Sequence, residues 1–183
     1  MAGRLPDYFL RTTRLGFRLW KHEDLPLAMT IWGDARVTRF VGGPFSTVQV
    51  KEKLAREIAN MEQQGVEYWP VFLLAGGEHV GCAGLRPVSL IREIPADSDR
   101  SGTEFEMGFY LRSAYWGMGL AEEAGRVVVD YAFDVLGAGS LYAAHHPQNV
   151  ASGRVLEKLG FRFTHEELYP PTGVMHRAYR LMK

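Results

Sequence analysis

Apolar and polar positions alternate along this chain with two periods, and the changes of period divide it into elements. Alternation or a short apolar run marks a strand, while apolar residues every three to four positions mark a helix. Arg14 to Trp20 reads as a first strand, and Asp24 to Trp32 as a short helix with Pro26 tolerated in its first turn. A longer helix runs from Ser46 to about Gln64, with Leu54, Ile58 and Met61 as its buried stripe and Gly65 as its stop. Tyr68 to Ala75 and His79 to Pro87 are predicted to pair across Gly76-Gly77 as a two-residue hairpin turn.

From Phe105 to Leu111 the alternation is clean. Phe105, Met107, Phe109 and Leu111 share one face, and Glu106, Gly108 and Tyr110 the other. Gly119 to Leu136 carries Leu120, Ala124, Val127, Val128, Tyr131 and Val135 at helical spacing. Leu141 to His145 is a short strand, Ala151 to Leu159 a helix closed by Gly160, and Phe161 to Leu168 pairs with Met175 to Leu181. Strands and helices interleave, with hairpins at both ends, which predicts an α/β fold on a mixed sheet, not an all-parallel one. Residues 14–183 read as one domain behind an N-terminal extension, 1–13, and the polar stretch Asp97 to Gly102 as a surface loop.

Charge and cysteine usage narrow the classes. With 21 basic and 21 acidic residues the formal net charge is zero, so there is no electrostatic footprint for nucleic acid. The single cysteine, Cys82, sits in an apolar strand pattern and reads as a buried small hydrophobe in a reducing, cytoplasmic setting. Met1 to Leu10 lacks a signal pattern, and no apolar run reaches membrane-spanning length, so no membrane partner is expected.

Candidate chemistry centres on Trp116-Gly117-Met118-Gly119-Leu120-Ala121-Glu122-Glu123-Ala124, between a strand and the best helix. Two glycines there let the backbone approach an anion, and the following helix offers unpaired N–H groups and the positive end of its dipole. A phosphate-bearing ligand follows. A dinucleotide fold does not, because Glu122 occupies the third glycine position and Asp134 lies within the same helix. No Gly-Lys-Ser/Thr ends the loop, which excludes a nucleotide P-loop.

Four segments in order resemble the GCN5-related N-acetyltransferases (GNAT), and within them the RimJ/RimL-like branch that acts on ribosomal-protein N-termini. They are Glu106-Met107-Gly108-Phe109, Tyr115 to Ala121 with Glu123-Ala124, Asn149-Val150-Ala151-Ser152, and Leu156 to Phe161. The resemblance implies a bent mixed sheet of about six or seven strands with helices on both faces. It implies acetyl-coenzyme A as acetyl donor, an amine as acceptor, and a monomer or homodimer. Trp116, Gly117, Met118, Gly119, Leu120 and Ala121 would cradle the pyrophosphate, Phe109 and Leu111 would pair with the pantetheine arm, and Asn149 would contact it. Two positions depart from the pattern: Ala114 stands where Arg or Gln is frequent, and Met118 where a basic residue is. Phosphate affinity would then rest on backbone donors with Arg112 or Arg154. Leu156 occupies the position of a general-acid tyrosine found in many members, which moves that role to Ser152.

Acetyl transfer needs an unprotonated amine against the thioester, a hydrogen-bond donor for its oxygen, and a proton for the leaving thiolate. Glu106 is the candidate base, directly or through water, against the alternative of a strand carboxylate paired with an arginine. Ser152 either serves the thiolate or is a first-turn capping serine. His145 and His146 end a strand beside the cleft and offer an alternative base. No metal is expected, since His165-Glu166-Glu167 lacks a second histidine at zinc spacing. Deprotonation at neutral pH costs roughly 1 kcal/mol for an α-amine and roughly 4 to 5 for lysine, which favours an α-amine acceptor. Trp32, Phe40, Tyr68 and Trp69, the insertion around Pro95 to Gly102 and the turn Tyr169 to Gly173 are candidate walls of the acceptor cleft, with Asp97, Asp99 and Glu104 as attractants for a cation. A non-catalytic acetyl-coenzyme A sensor is the alternative function.

Overall fold

The alternating segments assemble into one sheet in the computed structural model, which describes residues 8–90 and 103–183. Its strands are β1 (Leu10–Arg11), β2 (Leu15–Phe17), β3 (Tyr68–Leu73), β4 (His79–Pro87), β5 (Glu104–Leu111), β6 (Ser140–His145), β7 (Arg162–Tyr169) and β8 (Val174–Met182), in the order β1-β2-β3-β4-β5-β6-β8-β7. Every neighbouring pair is antiparallel except β5 with β6, so the sheet is mixed as expected. It has eight strands where six or seven were expected. The shortest, β1, lies in the stretch read as an extension, and two residues are too few to carry a period. The first strand is also shorter than Arg14 to Trp20, pairing with β3 only from Leu15 to Phe17.

The β3–β4 connection is longer than the predicted two-residue turn. A register shift at Val71/Phe72 sets Phe72 opposite His79. The Leu73 N–H then donates to the Glu78 carbonyl at 2.9 Å and the Gly77 N–H to Leu73 at 2.8 Å. Further along the same pair, the Leu85 N–H reaches the Glu67 carbonyl at 3.0 Å. Gly84 permits that approach: a Cβ there would stand 2.0 Å from the Glu67 carbonyl oxygen.

Both faces are covered by helices. α4 (Leu120–Asp130) and α5 (Val150–Lys158) bury Leu120, Ala124, Val128 and Leu156 against Met107, Leu111 and Leu141 of the sheet. On the other face α1 (Leu25–Trp32) and α3 (Thr47–Gln64) bury Ile31, Trp32, Val50 and Leu54 against Tyr68, Cys82 and Tyr110. A short α2 (Ala35–Thr38), capped by Asp34, was not anticipated. α3 starts with a reciprocal Ser46/Gln49 capping box and stops at left-handed Gly65. Its inner stripe departs from expectation, because the charged Glu57 is buried beside Val50 and Leu54 while Ile58 and Met61 are half-buried. The helix read as continuous to Leu136 widens to π geometry over Tyr131–Val135, with Leu136 N–H bonded to the Tyr131 carbonyl at 3.1 Å. Tyr131 there packs its ring edge-on to Trp69, centroids 5.5 Å apart.

Candidate active site

β5 is paired with β4 from Phe105 to Leu111, but with β6 only at Glu104, Phe105 and Glu106. Beyond Glu106 the two parallel strands part. The Arg112 N–H bonds to the Val80 carbonyl at 2.9 Å, which fixes the alternation along β5. The backbone groups of Glu106, Gly108 and Tyr110 therefore face β4, and those of Met107, Phe109 and Leu111 face the gap. A cavity of about 580 Å³ fills this gap, with Met107 to Leu111 on one wall and Ala143 to His146 on the other.

The loop after β5 closes one end. The Trp116 indole N–H donates to the Leu111 carbonyl at 2.8 Å. Gly117 and Gly119 adopt φ of +75° and +74°, a left-handed conformation that a side chain would strain. The α4 ladder begins with Glu123 N–H to Gly119 at 3.1 Å, so the N–H groups of Leu120, Ala121 and Glu122 have no acceptor inside the helix. With the helix dipole behind them they could cradle an anion. Arg154 lines the same cavity, as do Lys158 and Glu122, which ion-pair with each other at 3.0 Å. Arg112 does not serve the anion site: its guanidinium donates to the His79 carbonyl at 2.7 Å. An unpaired strand edge leading to a backbone anion cradle suits a long ligand with amides along its stem and phosphates at its end.

Glu106 stands where the strands part and lines the cavity. The Tyr68 hydroxyl donates to its Oε2 at 2.9 Å. Gly108 makes room for this, since a Cβ there would lie 2.4 Å from the same hydroxyl. Burial raises the Glu106 pKa above the ordinary carboxylate range, against the lowering pull of the nearby Arg86 and of the Tyr68 hydrogen bond. Arg86 itself is committed elsewhere. It lies 4.0 Å over the Tyr68 ring and ion-pairs with buried Glu57, which also accepts the Tyr68 N–H at 3.0 Å. Tyr68 is the hydrogen-bond partner of Glu106 that local sequence could not reveal.

At the start of α5 the Asn149 side chain caps the helix, accepting from the Ser152 N–H at 3.3 Å, and both residues line the cavity. His145 is locked at both nitrogens, with Nδ1 donating to the His146 carbonyl at 2.8 Å and Nε2 accepting from Tyr179 Oη at 3.2 Å. Burial lowers its pKa, so it is neutral and engaged, a poor base. The His146 ring stacks on Phe40 at 4.7 Å and meets His176 at 5.6 Å, forming a ring-lined wall with Tyr169 stacked on His176 at 4.3 Å. Burial lowers the His176 pKa to about 4, so that imidazole is uncharged at neutral pH.

Of the four aromatic candidates, Phe40 and Tyr68 line the cavity, whereas Trp32 and Trp69 are core residues. Glu104 is not a surface attractant either; it is buried on β5 and ion-pairs with Arg180 at 2.9 Å. Asp97 and Asp99 lie outside the described residues. Among the described residues, no three His, Cys, Asp or Glu side chains gather as a metal site, and no helix is long and apolar enough to cross a membrane.

Residues 14–162 match the acetyltransferase (GNAT) domain. The chain belongs to the GNAT family. It is 32% identical over 176 residues to FsC-acetyl coenzyme A-N(2)-transacetylase of Aspergillus fumigatus, covering 90% of this chain and 71% of that one. In structure it is similar to an acetyltransferase from Agrobacterium tumefaciens, with TM-score 0.75, 27% identity, and 99% and 100% of the two chains covered. The ribosomal L7/L12 α-N-protein acetyltransferase RimL, solved with coenzyme A, superposes at TM-score 0.72 with 14% identity over 93% of this chain and 95% of that one. The protein is thus a GNAT N-acetyltransferase that uses acetyl-coenzyme A. The family's donor is such an amide-and-phosphate ligand, and the open β5 edge and the cradle fit it.

Proposed function

We infer that this GNAT enzyme moves the acetyl group of acetyl-coenzyme A directly to an unprotonated primary amine, with Glu106 as base through a water and Ser152 beside the leaving thiolate. The observation that carries the reading is the half-buried Glu106 carboxylate, held by Tyr68 where β5 and β6 part. When bound, acetyl-coenzyme A supplies an acetyl group already activated as a thioester. The N–H groups at 117–122 are the proposed phosphate donors, the gap-facing backbone of Phe109 and Leu111 the partners of the pantetheine amides, and Asn149 a contact at the mouth of α5. A carboxyl pKa raised toward neutrality makes Glu106 a better match for an ammonium proton than an ordinary surface glutamate. His145, bonded at both nitrogens, is left out of this scheme.

The acceptor is an α-amine-like group, of a protein N-terminus or a small molecule. Its low basicity keeps deprotonation near 1 kcal/mol at neutral pH, and the Aspergillus relative is named for transfer to an N(2) nitrogen. The test is acetyl-coenzyme A-dependent thiol release with two sets of acceptors: peptides with free or blocked N-termini, and small amines from amino acids to polyamines. Release with free but not blocked α-amines supports the reading. Turnover confined to amines near lysine basicity contradicts the acceptor assignment, and coenzyme A binding without any turnover favours the sensor.

A further inference from the structure

The anion cradle is held from behind by a residue that does not face the cavity. Arg14, in the turn between β1 and β2, donates through Nη1 to the Met118 carbonyl at 3.0 Å and through Nε to Glu123 Oε2 at 2.6 Å. Its backbone N–H reaches Glu123 Oε1 at 2.9 Å, and the Thr12 hydroxyl reaches the same oxygen at 2.5 Å. Thr12 in turn accepts from the Leu15 N–H at 2.9 Å, which ties the turn to the sheet. One carboxylate in the first turn of α4 is thereby fixed by three donors from a segment more than 100 residues away in sequence.

We propose that Arg14 is a positioning residue for the donor's phosphates, acting through Met118 and Glu123 on the loop at 117–122. Two physical effects combine. The guanidinium bridges the loop carbonyl to the helix, so the loop's N–H groups are presented without first being ordered by the ligand. It also neutralises the Glu123 carboxylate, which otherwise places a negative charge directly behind an anion site. Met118 leaves the space between the two glycines without a basic side chain, and Arg14 brings a cation to that loop from outside the cavity. Glu123 stabilises the α4 dipole, and Arg14 removes its repulsion.

The proposal rests on acetyl-coenzyme A occupying this cavity, and the experiment separates the two claims. Calorimetry compares coenzyme A with pantetheine, which has the amide stem but no phosphates, on wild-type protein and on Arg14→Ala and Arg14→Lys. Loss of one charge-assisted bridge predicts about tenfold weaker coenzyme A binding in Arg14→Ala. Pantetheine binding should be unchanged. Lysine should restore only part of the loss, because one ammonium lacks the fork that spans both acceptors. Equal weakening of both ligands would make Arg14 merely structural and overturn the proposal, as would unchanged coenzyme A binding. Should Arg14→Ala not fold, Thr12→Val gives the same phosphate-selective readout at roughly two- to threefold, since only one of the carboxylate's donors is lost, and an unchanged Kd there overturns the latch. Coenzyme A failing to bind wild-type protein would instead sink the cavity assignment itself.

Discussion

Along β5 the edge facing β4 is paired from Phe105 to Leu111, while the edge facing β6 is paired only through Glu106. The paired edge is closed by close backbone approach, as at Gly81, where a Cβ would stand 2.1 Å from the Tyr110 carbonyl oxygen, and builds the core. The open edge leaves strand amides unsatisfied by protein inside a cavity, and a folded chain rarely leaves such groups without a partner. The same strand thus does two jobs, and the point where it changes role is where the candidate base sits.

The largest effect is expected at that point. Glu106→Gln should lower kcat/KM by about 100-fold, the usual worth of a general base, with coenzyme A affinity intact by calorimetry. In the wild type kcat/KM should rise with pH through a carboxyl pKa displaced above the ordinary value, because Glu106 acts only when ionised and burial keeps its proton on. The glutamine variant should lack that limb. A variant with full activity would put the base elsewhere.

Two glycines then contrast the closely paired β3–β4 side of the sheet with the open edge. Gly84→Ala sets a methyl against a backbone oxygen and should destabilise the fold by about 2 to 3 kcal/mol, read by urea unfolding. Gly117→Ala meets no atom within 4 Å, so only its left-handed φ opposes it. It should cost about 1 to 2 kcal/mol of stability and, unlike Gly84→Ala, weaken coenzyme A binding. Indistinguishable profiles for the two variants would erase the contrast between the paired side and the open edge.

Smaller effects sharpen the picture. Asn149→Ala removes the α5 cap and should lose about 1 kcal/mol of stability, with a further loss of coenzyme A affinity that a capping role alone does not explain. Glu67 belongs wholly to the paired side. It is buried, accepts the Trp20 N–H at 3.1 Å, and has an Oε2 with no partner among the described residues. Burial raises its pKa to about 8. Between the ordinary glutamate value and about pH 8 the unfolded chain ionises while the folded one keeps its proton. Stability should therefore fall across that window, at up to about 1.4 kcal/mol per pH unit. Glu67→Gln should flatten the decline in Tm between pH 5 and 8 without changing turnover.

Much of this was legible locally. The alternation of Phe105 to Leu111 separates cavity-facing Glu106 from the core face, and Gly117 and Gly119 announce the cradle before α4. Asn149 and Ser152 fall at a helix start whose spacing is plain in the sequence. Features that depend on distant segments left no local trace. Tyr68 reaches Glu106 across the intervening β4, Arg86 is drawn off by Glu57, and Arg14 meets Glu123 from the far end of the chain. The errors have the same origin. Glu104 looks like a solvated loop acid until Arg180 pairs with it, and Trp69 looks like a wall residue until the π turn at Tyr131 packs over it.

With the donor seated as proposed, the parted strands would also couple this protein's durability to its metabolic surroundings. A ligand that bridges the seam binds the native state and not the unfolded chain, so it stabilises the native state by mass action. Amide hydrogens of Phe109 and Leu111 should exchange quickly in the free enzyme and slowly when the seam is filled. A cell rich in acetyl donor would hold a stiffer, more protease-resistant population than a starved one, with no regulator required beyond the supply itself.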